Sequence, residues 1–366
     1  MTSDQLPTGR TKRSLAALLM LLAVALGAWW YATRPNAAAP EAANATAGDT
    51  AVGGAVAGGT EETAQANAKP PRRRSAKASF DLSALTLPTE KVRGGGPPKD
   101  GIPSLTSPEF VAAGDAAFMK DEDLVIGVAL GDQAKAYPLK ILDHHEAVND
   151  TVGGKAVAVT YCPLCDSSIV FDRERGGEAI ELGVSGLLYN SNVLLYDRGE
   201  EGKESLWSQM GSRAVSGPAV GSRLPRLPLE VTSWAAWRER RPDTLVLSRR
   251  TGHKRTYNRS VYARYFKSPR VRFPLDHQDD RLPPKTPVLG VVVGDQARAF
   301  PVAAVIESGE ERLTAQLAGK QFTLVANPAA KSVRIEAADE GVEWVYAFWF
   351  AWAAFQPETV LWAAEP

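Results

Sequence analysis

Two stretches of this chain are near copies of one another: Leu124–Leu142 reads LVIGVALGDQAKAYPLKIL and Pro287–Val305 reads PVLGVVVGDQARAFPVAAV. Any fold the sequence adopts must therefore build the same local structure twice. Each copy places two runs of Val, Leu, Ala and aromatic residues on either side of a Gly-Asp pair, the signature of a β-hairpin. The likeness continues in order along the chain. GGKAVAVTYCP at Gly153–Pro163 parallels LAGKQFTLVANP at Leu317–Pro328, with Gly154-Lys155 opposite Gly319-Lys320. Trp234, Trp237, Pro242, Asp243 and Thr244 are echoed by Trp349, Trp352, Pro357, Glu358 and Thr359. The pattern predicts a mainly β (α+β), internally duplicated domain with a few helices. Repeat one spans about residues 123–247 with an insertion over 172–233, and repeat two spans about 286–362. SSIVFDR, IELGVSG and NVLLYDR add short strands. A helix is expected from Ser233, as N-cap, to Arg240 before Pro242, and a second over Glu343–Phe355.

The amino terminus carries a different signal. A basic head, residues 1–13, ends in Lys12 and Arg13, and the 18 residues 14–31 that follow hold no charge. At helical rise they span about 27 Å, enough for a slightly thinned bilayer. Trp29, Trp30 and Tyr31 close the stretch, where aromatic rings favour the interface. The expectation is a single-pass transmembrane signal anchor in the cytoplasmic membrane, with the head inside and the main domain on the periplasmic or extracellular side. Cleavage after the apolar run, near NAAA, is the alternative. Residues 32–79, mostly Ala, Gly, Thr and Pro, lack the apolar surface to offset the entropy of ordering and read as a disordered linker; folded sequence is expected over 80–366. With 42 basic and 42 acidic residues the chain lacks the electrostatic footprint of a nucleic-acid binder.

The two cysteines of the chain lie together in Cys162-Pro163-Leu164-Cys165. Where the first copy has CPLC, the second has Asn327-Pro328-Ala329-Ala330. The turn can form without sulfur, so the cysteines read as placed for chemistry. In thioredoxin-type proteins such a pair opens a helix whose dipole lowers the thiol pKa; here the strand-like SSIVF follows. A Cys-Pro-x-Cys turn between strands suits a metal knuckle, but knuckles in zinc ribbons come in pairs, and this chain has one. Further ligands must come from elsewhere, and the histidines are four: His144, His145, His253 and His277. His145, upstream of the CPLC strand, and His277, in a polar loop before the second copy, are the expected partners of Cys162 and Cys165. Two thiolates with imidazole suit copper or zinc, soft sulfur favouring copper(I). Glu146 stands as candidate general base or orienting group. A thiol–disulfide oxidoreductase with a redox partner, and a small-molecule or partner-binding module with structural cysteines, are the other readings. Two further clusters, YNSNVLLYDRGEEGKESLWSQ and GGGPPKDGIPSL, offer polar groups and a loop able to lie against a pocket.

GGPPKDGIP, GDQAKAYPLKIL, HEAVNDTVGG, VAVTYCPLC, GVSGLLYNSNVLLYDR, ESLWSQ and DDRLPPK occur in this order between Phe80 and Pro301. In these the chain resembles the bacterial and archaeal proteins of the domain of unknown function 3179 family. By that resemblance His145 and Glu146 occupy the family's His-Glu positions, Cys162 and Cys165 its CPxC positions, and His277 its polar loop. The family pattern has glycine after the second cysteine. Asp166 stands there instead, which either alters the turn or adds a carboxylate beside an ion. The resemblance implies residues rather than an activity.

Overall fold

The computed structural model describes residues 76–258 and 260–364. The expected head and anchor, and the linker up to residue 75, lie outside these. The linker's last four residues, Ala76–Ser79, form a 3-10 turn. Among the described residues no helix is long and apolar enough to cross a membrane.

The first Gly-Asp stretch is a hairpin of β1 (Leu124–Leu130) and β2 (Gln133–Pro138), with Gly131 at φ 55° in the turn. That conformation costs glycine little and other residues more. One helical turn, α1 (Leu139–Leu142), leads into a meander of β3 (Ala147–Val152), β4 (Lys155–Cys162) and β5 (Ser167–Asp172). A second hairpin of long strands follows, β6 (Glu181–Tyr189) and β7 (Asn192–Arg198), flanked by β8 (Leu206–Ser208). Next, β9 (Glu230–Ser233) returns to pair with β1; it falls inside the expected insertion yet belongs to the β1–β2 sheet. Helix α2 (Trp234–Arg240) is capped as expected, Ser233 Oγ accepting from the Ala236 N–H at 3.3 Å. Then β10 (Leu245–Leu247) runs parallel to β2.

After a long connection bearing the short helix α3 (Ala263–Lys267), the second Gly-Asp stretch forms β11 (Pro287–Val293) and β12 (Gln296–Pro301). These lead through α4 (Val302–Glu307) to a meander of β13 (Arg312–Leu317), β14 (Lys320–Asn327) and β15 (Ser332–Ala338). The chain closes with β16 (Glu343–Phe348), α5 (Trp349–Phe355) and β17 (Val360–Leu361). Residues Glu343–Phe348, expected as the start of a helix, are a strand. They pair with β11 along their whole length and meet β5 at Tyr346–Ser168, so the helix begins only at Trp349. A strand with a neighbour on each edge satisfies its backbone within the sheet, and the β-branched and aromatic side chains of EWVYAF suit that setting.

The architecture is mainly β. Nine strands form the largest sheet: Leu105–Thr106, β3, β4, β5, β16, β11, β12 and β17 in order, with Arg226–Leu227 also on β5. Side chains alternate across it. On β4, Val157, Val159 and Tyr161 face one apolar cluster, whereas Ala158 and Cys162 face another that contains Trp207, Phe348 and Trp349. Helices α2 and α5 dock onto the two Gly-Asp hairpins in the same manner. A Cβ on Gly127 would lie 2.3 Å from the Trp237 ring, and one on Gly290 2.2 Å from Trp352. The indole N–H of Trp237 donates to Thr244 and that of Trp352 to Thr359, each at 2.9 Å. Across the molecule, Thr232 on β9 shares a hydroxyl hydrogen bond with Ser332 on β15 at 2.9 Å, and Tyr346 on β16 donates to the Val333 carbonyl at 2.9 Å.

Candidate functional site

The CPLC turn joins β4 to β5. Cys162 ends one strand, paired with Ser167 of the next, and the Cys165 N–H donates to the Cys162 carbonyl at 3.1 Å. Asp166 completes the turn at φ 49°, in the left-handed region. That position favours glycine, and Asp is among the residues that tolerate it. The Asp166 carboxylate accepts the Tyr161 hydroxyl at 2.8 Å, which ties it to the turn.

Both cysteines are buried and unpaired as thiols. The Cys165 thiol lies 3.2 Å from the Ser191 carbonyl oxygen and also against the Cys162 sulfur. Burial pushes Cys162 up, but the Cys165 thiol and the backbone N–H groups of Cys165, Val193 and Leu164 outweigh it and hold Cys162 below the ordinary thiol range. Burial raises Cys165 well above that range, and the neighbouring Cys162 adds to the effect. Of the two thiols Cys162 is thus the one that ionises first, being the sulfur best supplied with donors.

Glu146 sits between α1 and β3 at φ 57°, its N–H on the Leu142 carbonyl and its own carbonyl accepting the Tyr161 N–H, each at 2.8 Å. Its buried carboxyl is pushed well above the usual carboxylate range, first by burial and then by the charge at Cys162. The Tyr262 hydroxyl approaches Oε1 at 3.4 Å. Here a carboxyl pushed up and a thiol pushed down lie within electrostatic reach of one another, two groups with pKa values shifted in opposite directions, an arrangement that recurs in acid–base chemistry.

His145 points into a different environment. Its Nδ1 lies 2.7 Å from the Pro103 carbonyl and its Nε2 2.7 Å from the Tyr257 hydroxyl. A carbonyl only accepts, so Nδ1 carries the hydrogen, Nε2 accepts from Tyr257, and Thr251 donates to Tyr257 in turn at 2.6 Å. Burial lowers the His145 pKa to about 4. Both ring nitrogens are thus occupied by protein partners. His277 lies on the connection between α3 and β11 within electrostatic reach of Asp279, and its buried Nε2 has no partner among the described residues. Of the expected set, Glu146 lies within electrostatic reach of Cys162, and neither His145 nor His277 groups with the two cysteines. Among the described residues no three His, Cys, Asp or Glu side chains are grouped to hold an ion.

The rest of the site comes from the β6–β7 hairpin and α3. Tyr189 pairs with Asn192, leaving Asn190 and Ser191 as a two-residue loop with φ 49° and 63°. Such loops favour Asn and Gly. The buried Ser191 is an unusual occupant; its hydroxyl has no partner among the described residues, while its carbonyl faces Cys165. Asn192 donates to Ser167 Oγ at 3.1 Å and to Gln209 Oε1 at 2.7 Å, and Gln209 donates to Thr160 Oγ1 at 3.0 Å. From the same polar run, Asp197 serves the hairpin itself by accepting the Ser205 N–H and the Trp207 indole N–H. The Gly-Pro loop lies against this hairpin, since a Cβ on Gly186 would sit 2.3 Å from the Pro97 carbonyl oxygen. From α3, the Tyr265 hydroxyl donates to the Leu164 carbonyl at 2.8 Å. Thr160, Ser167, Asn192, Tyr262 and Tyr265 were not singled out by sequence. Asn192 and Ser167 directly flank residues that were, whereas no pattern announces the tyrosines.

Fold and site define a β-rich protein with a buried CPxC thiol pair at a strand–turn–strand junction, flanked by a His-Glu dipeptide. The chain belongs to the family described as protein of unknown function (DUF3179), whose pattern it matches over residues 99–343. That span takes in Glu146, both cysteines and His277. No curated protein and no solved structure matches the chain.

Proposed function

We propose that Cys162 and Cys165 bind a soft metal ion, copper(I) before zinc, and that this is the protein's central activity. One observation carries the reading: the Cys162 and Cys165 sulfurs lie against one another in a strand–turn–strand frame, where the backbone at Leu164, Cys165 and Val193 favours negative charge on Cys162 without a helix. Zinc favours four ligands. With His145 engaged by Pro103 and Tyr257 and His277 placed apart, the thiols stand as a pair, and soft sulfur donors favour copper(I). Binding would replace the proton of Cys165: a thiolate and a thiol take up one monovalent cation and release one proton. Glu146, holding its own proton, would remain a neutral donor beside the thiolates.

The purified full-length chain, prepared with reductant and without chelator, should hold about one copper(I) per chain by elemental analysis after reconstitution, and Cys162→Ser should lose it. A chain that stays metal-free after reconstitution overturns the reading. The unequal thiols favour a second one, thiol–disulfide exchange led by Cys162; in that case Cys165→Ser should accumulate mixed disulfides. We also infer that the two Gly-Asp units descend from a duplication, supported by their shared strand pairings and Gly–Trp–Thr contacts. The apolar stretch at 14–31 supports a membrane tether that places the folded body outside the cytoplasm.

A further inference from the structure

Immediately after β10 the chain reads SRRTGHKRTYN, Ser248–Asn258, with four Lys and Arg side chains and no acidic one in a protein of zero net charge. This segment borders a surface cavity of about 430 Å³, lined by Arg249, Arg255, Thr256 and Asn258 together with Val111 and Phe118. The positive charge there is poorly balanced. Arg250 is paired with Glu109. Arg249 stacks over the Phe118 ring at 5.2 Å, and among the described residues its one hydrogen-bond partner is the Asn258 amide oxygen, at 3.4 Å. Arg255 has no ion pair or hydrogen bond among the described residues, and Asp115 is the one acidic side chain lining the cavity. Tyr257 forms its floor and meets His144 edge-on at 5.3 Å; the buried His144 Nε2 has no partner among the described residues.

We propose that this groove binds a small oxyanion, a phosphate or carboxylate carrying two or more negative charges, gripped by Arg249 and Arg255. Guanidinium groups offer paired N–H donors that match such oxygens, and Arg249 is already oriented by its aromatic platform. Thr256 and Asn258 supply neutral donors at the rim, and the volume suits a small ligand. The site is separate from the sulfur pair but linked to it: Tyr257 lines the groove and holds His145, whose neighbour Glu146 flanks Cys162. The proposal stands whether or not the cysteines bind metal.

Calorimetric titration of the full-length chain with inorganic phosphate, citrate and the soluble lipid dihexanoylphosphatidic acid, a phosphomonoester, tests it. At least one probe should saturate a single site, and the double variant Arg249→Gln/Arg255→Gln should bind that probe at least tenfold more weakly with an unchanged thermal midpoint. Saturation by phosphate or citrate identifies a free anion as the ligand, and saturation by the lipid alone identifies a headgroup. Absence of saturable binding by all three probes, or equal affinity in wild type and double variant, overturns the proposal.

Discussion

His145 offers a direct test of how the His-Glu dipeptide is held. Its ring is fully buried, with Pro103 and Tyr257 each 2.7 Å from a ring nitrogen, and its pKa falls from 6.5 to about 4. In the unfolded chain the same ring takes up a proton near pH 6.5. Between pH 6.5 and 4 the unfolded state therefore binds more protons than the folded one, and stability must fall as the pH falls. Above pH 6.5 the ring is neutral in both states and contributes no slope. The loss is about 1.4 kcal/mol per pH unit within the window, roughly 3 kcal/mol in all. In His145→Gln the new side chain keeps an acceptor for Tyr257 but does not titrate. Urea unfolding of wild type and variant at pH 7.5, 6.5, 5.5 and 4.5 isolates this ring, because other titrating groups cancel in the difference. The stability difference, wild type minus variant, should be constant above about pH 6.5 and shrink steadily below it. A difference that stays flat down to pH 4.5, or a His145 resonance titrating near 6.5, would refute the reasoning.

Gly127→Ala should cost about 1–3 kcal/mol in denaturant unfolding, because its methyl would lie 2.3 Å from the Trp237 ring. Gly290→Ala, against Trp352, should cost a similar amount. Lys135 is buried and donates to both Asp150 oxygens; Lys135→Met should cost about 3–5 kcal/mol by stranding that carboxylate, and adding Asp150→Leu should recover part of the loss. Asn192→Leu removes partners from Ser167 and Gln209 and the hydrogen bond that lowers the Cys165 pKa; it should lower stability by about 1–3 kcal/mol and slow alkylation of Cys165 in the folded protein, measured by mass spectrometry.

Features governed by local rules were legible in the sequence. The Gly131-Asp132 and Gly294-Asp295 turns, the Ser233 cap and the strands on either side of the CPLC turn all follow from residues within a few positions of one another. Glu343–Phe348 was misread because its fate depends on strands far away in sequence: with β11 on one edge and β5 on the other, extended backbone is satisfied twice over. At the site, sequence placed His145 and Glu146 side by side and suggested a shared role. The left-handed backbone at Glu146, φ 57°, swings the two side chains apart, one to the sulfurs and the other to Tyr257. A positive φ at Glu146 or Ser191 leaves no compositional trace, whereas Asn190 and Asp166 are of the residue types that tolerate it.

The crossed pairings of the sheet bear on how the chain can be cut. Strand β5 of the amino-terminal segment is hydrogen-bonded to β16 of the carboxy-terminal one, while β9 meets β15 in the opposite sense. A fragment ending near Leu247 would leave β5 open at Ser168, beside the stretch that Arg226–Leu227 covers, and a fragment starting near Pro287 would leave the matching edge of β16 bare. Each exposed edge matches a strand on the other fragment. Expressed separately, the two pieces would seek each other or a second full chain in which to exchange strands, so the molecule assembles as a clasp rather than as two beads on a string.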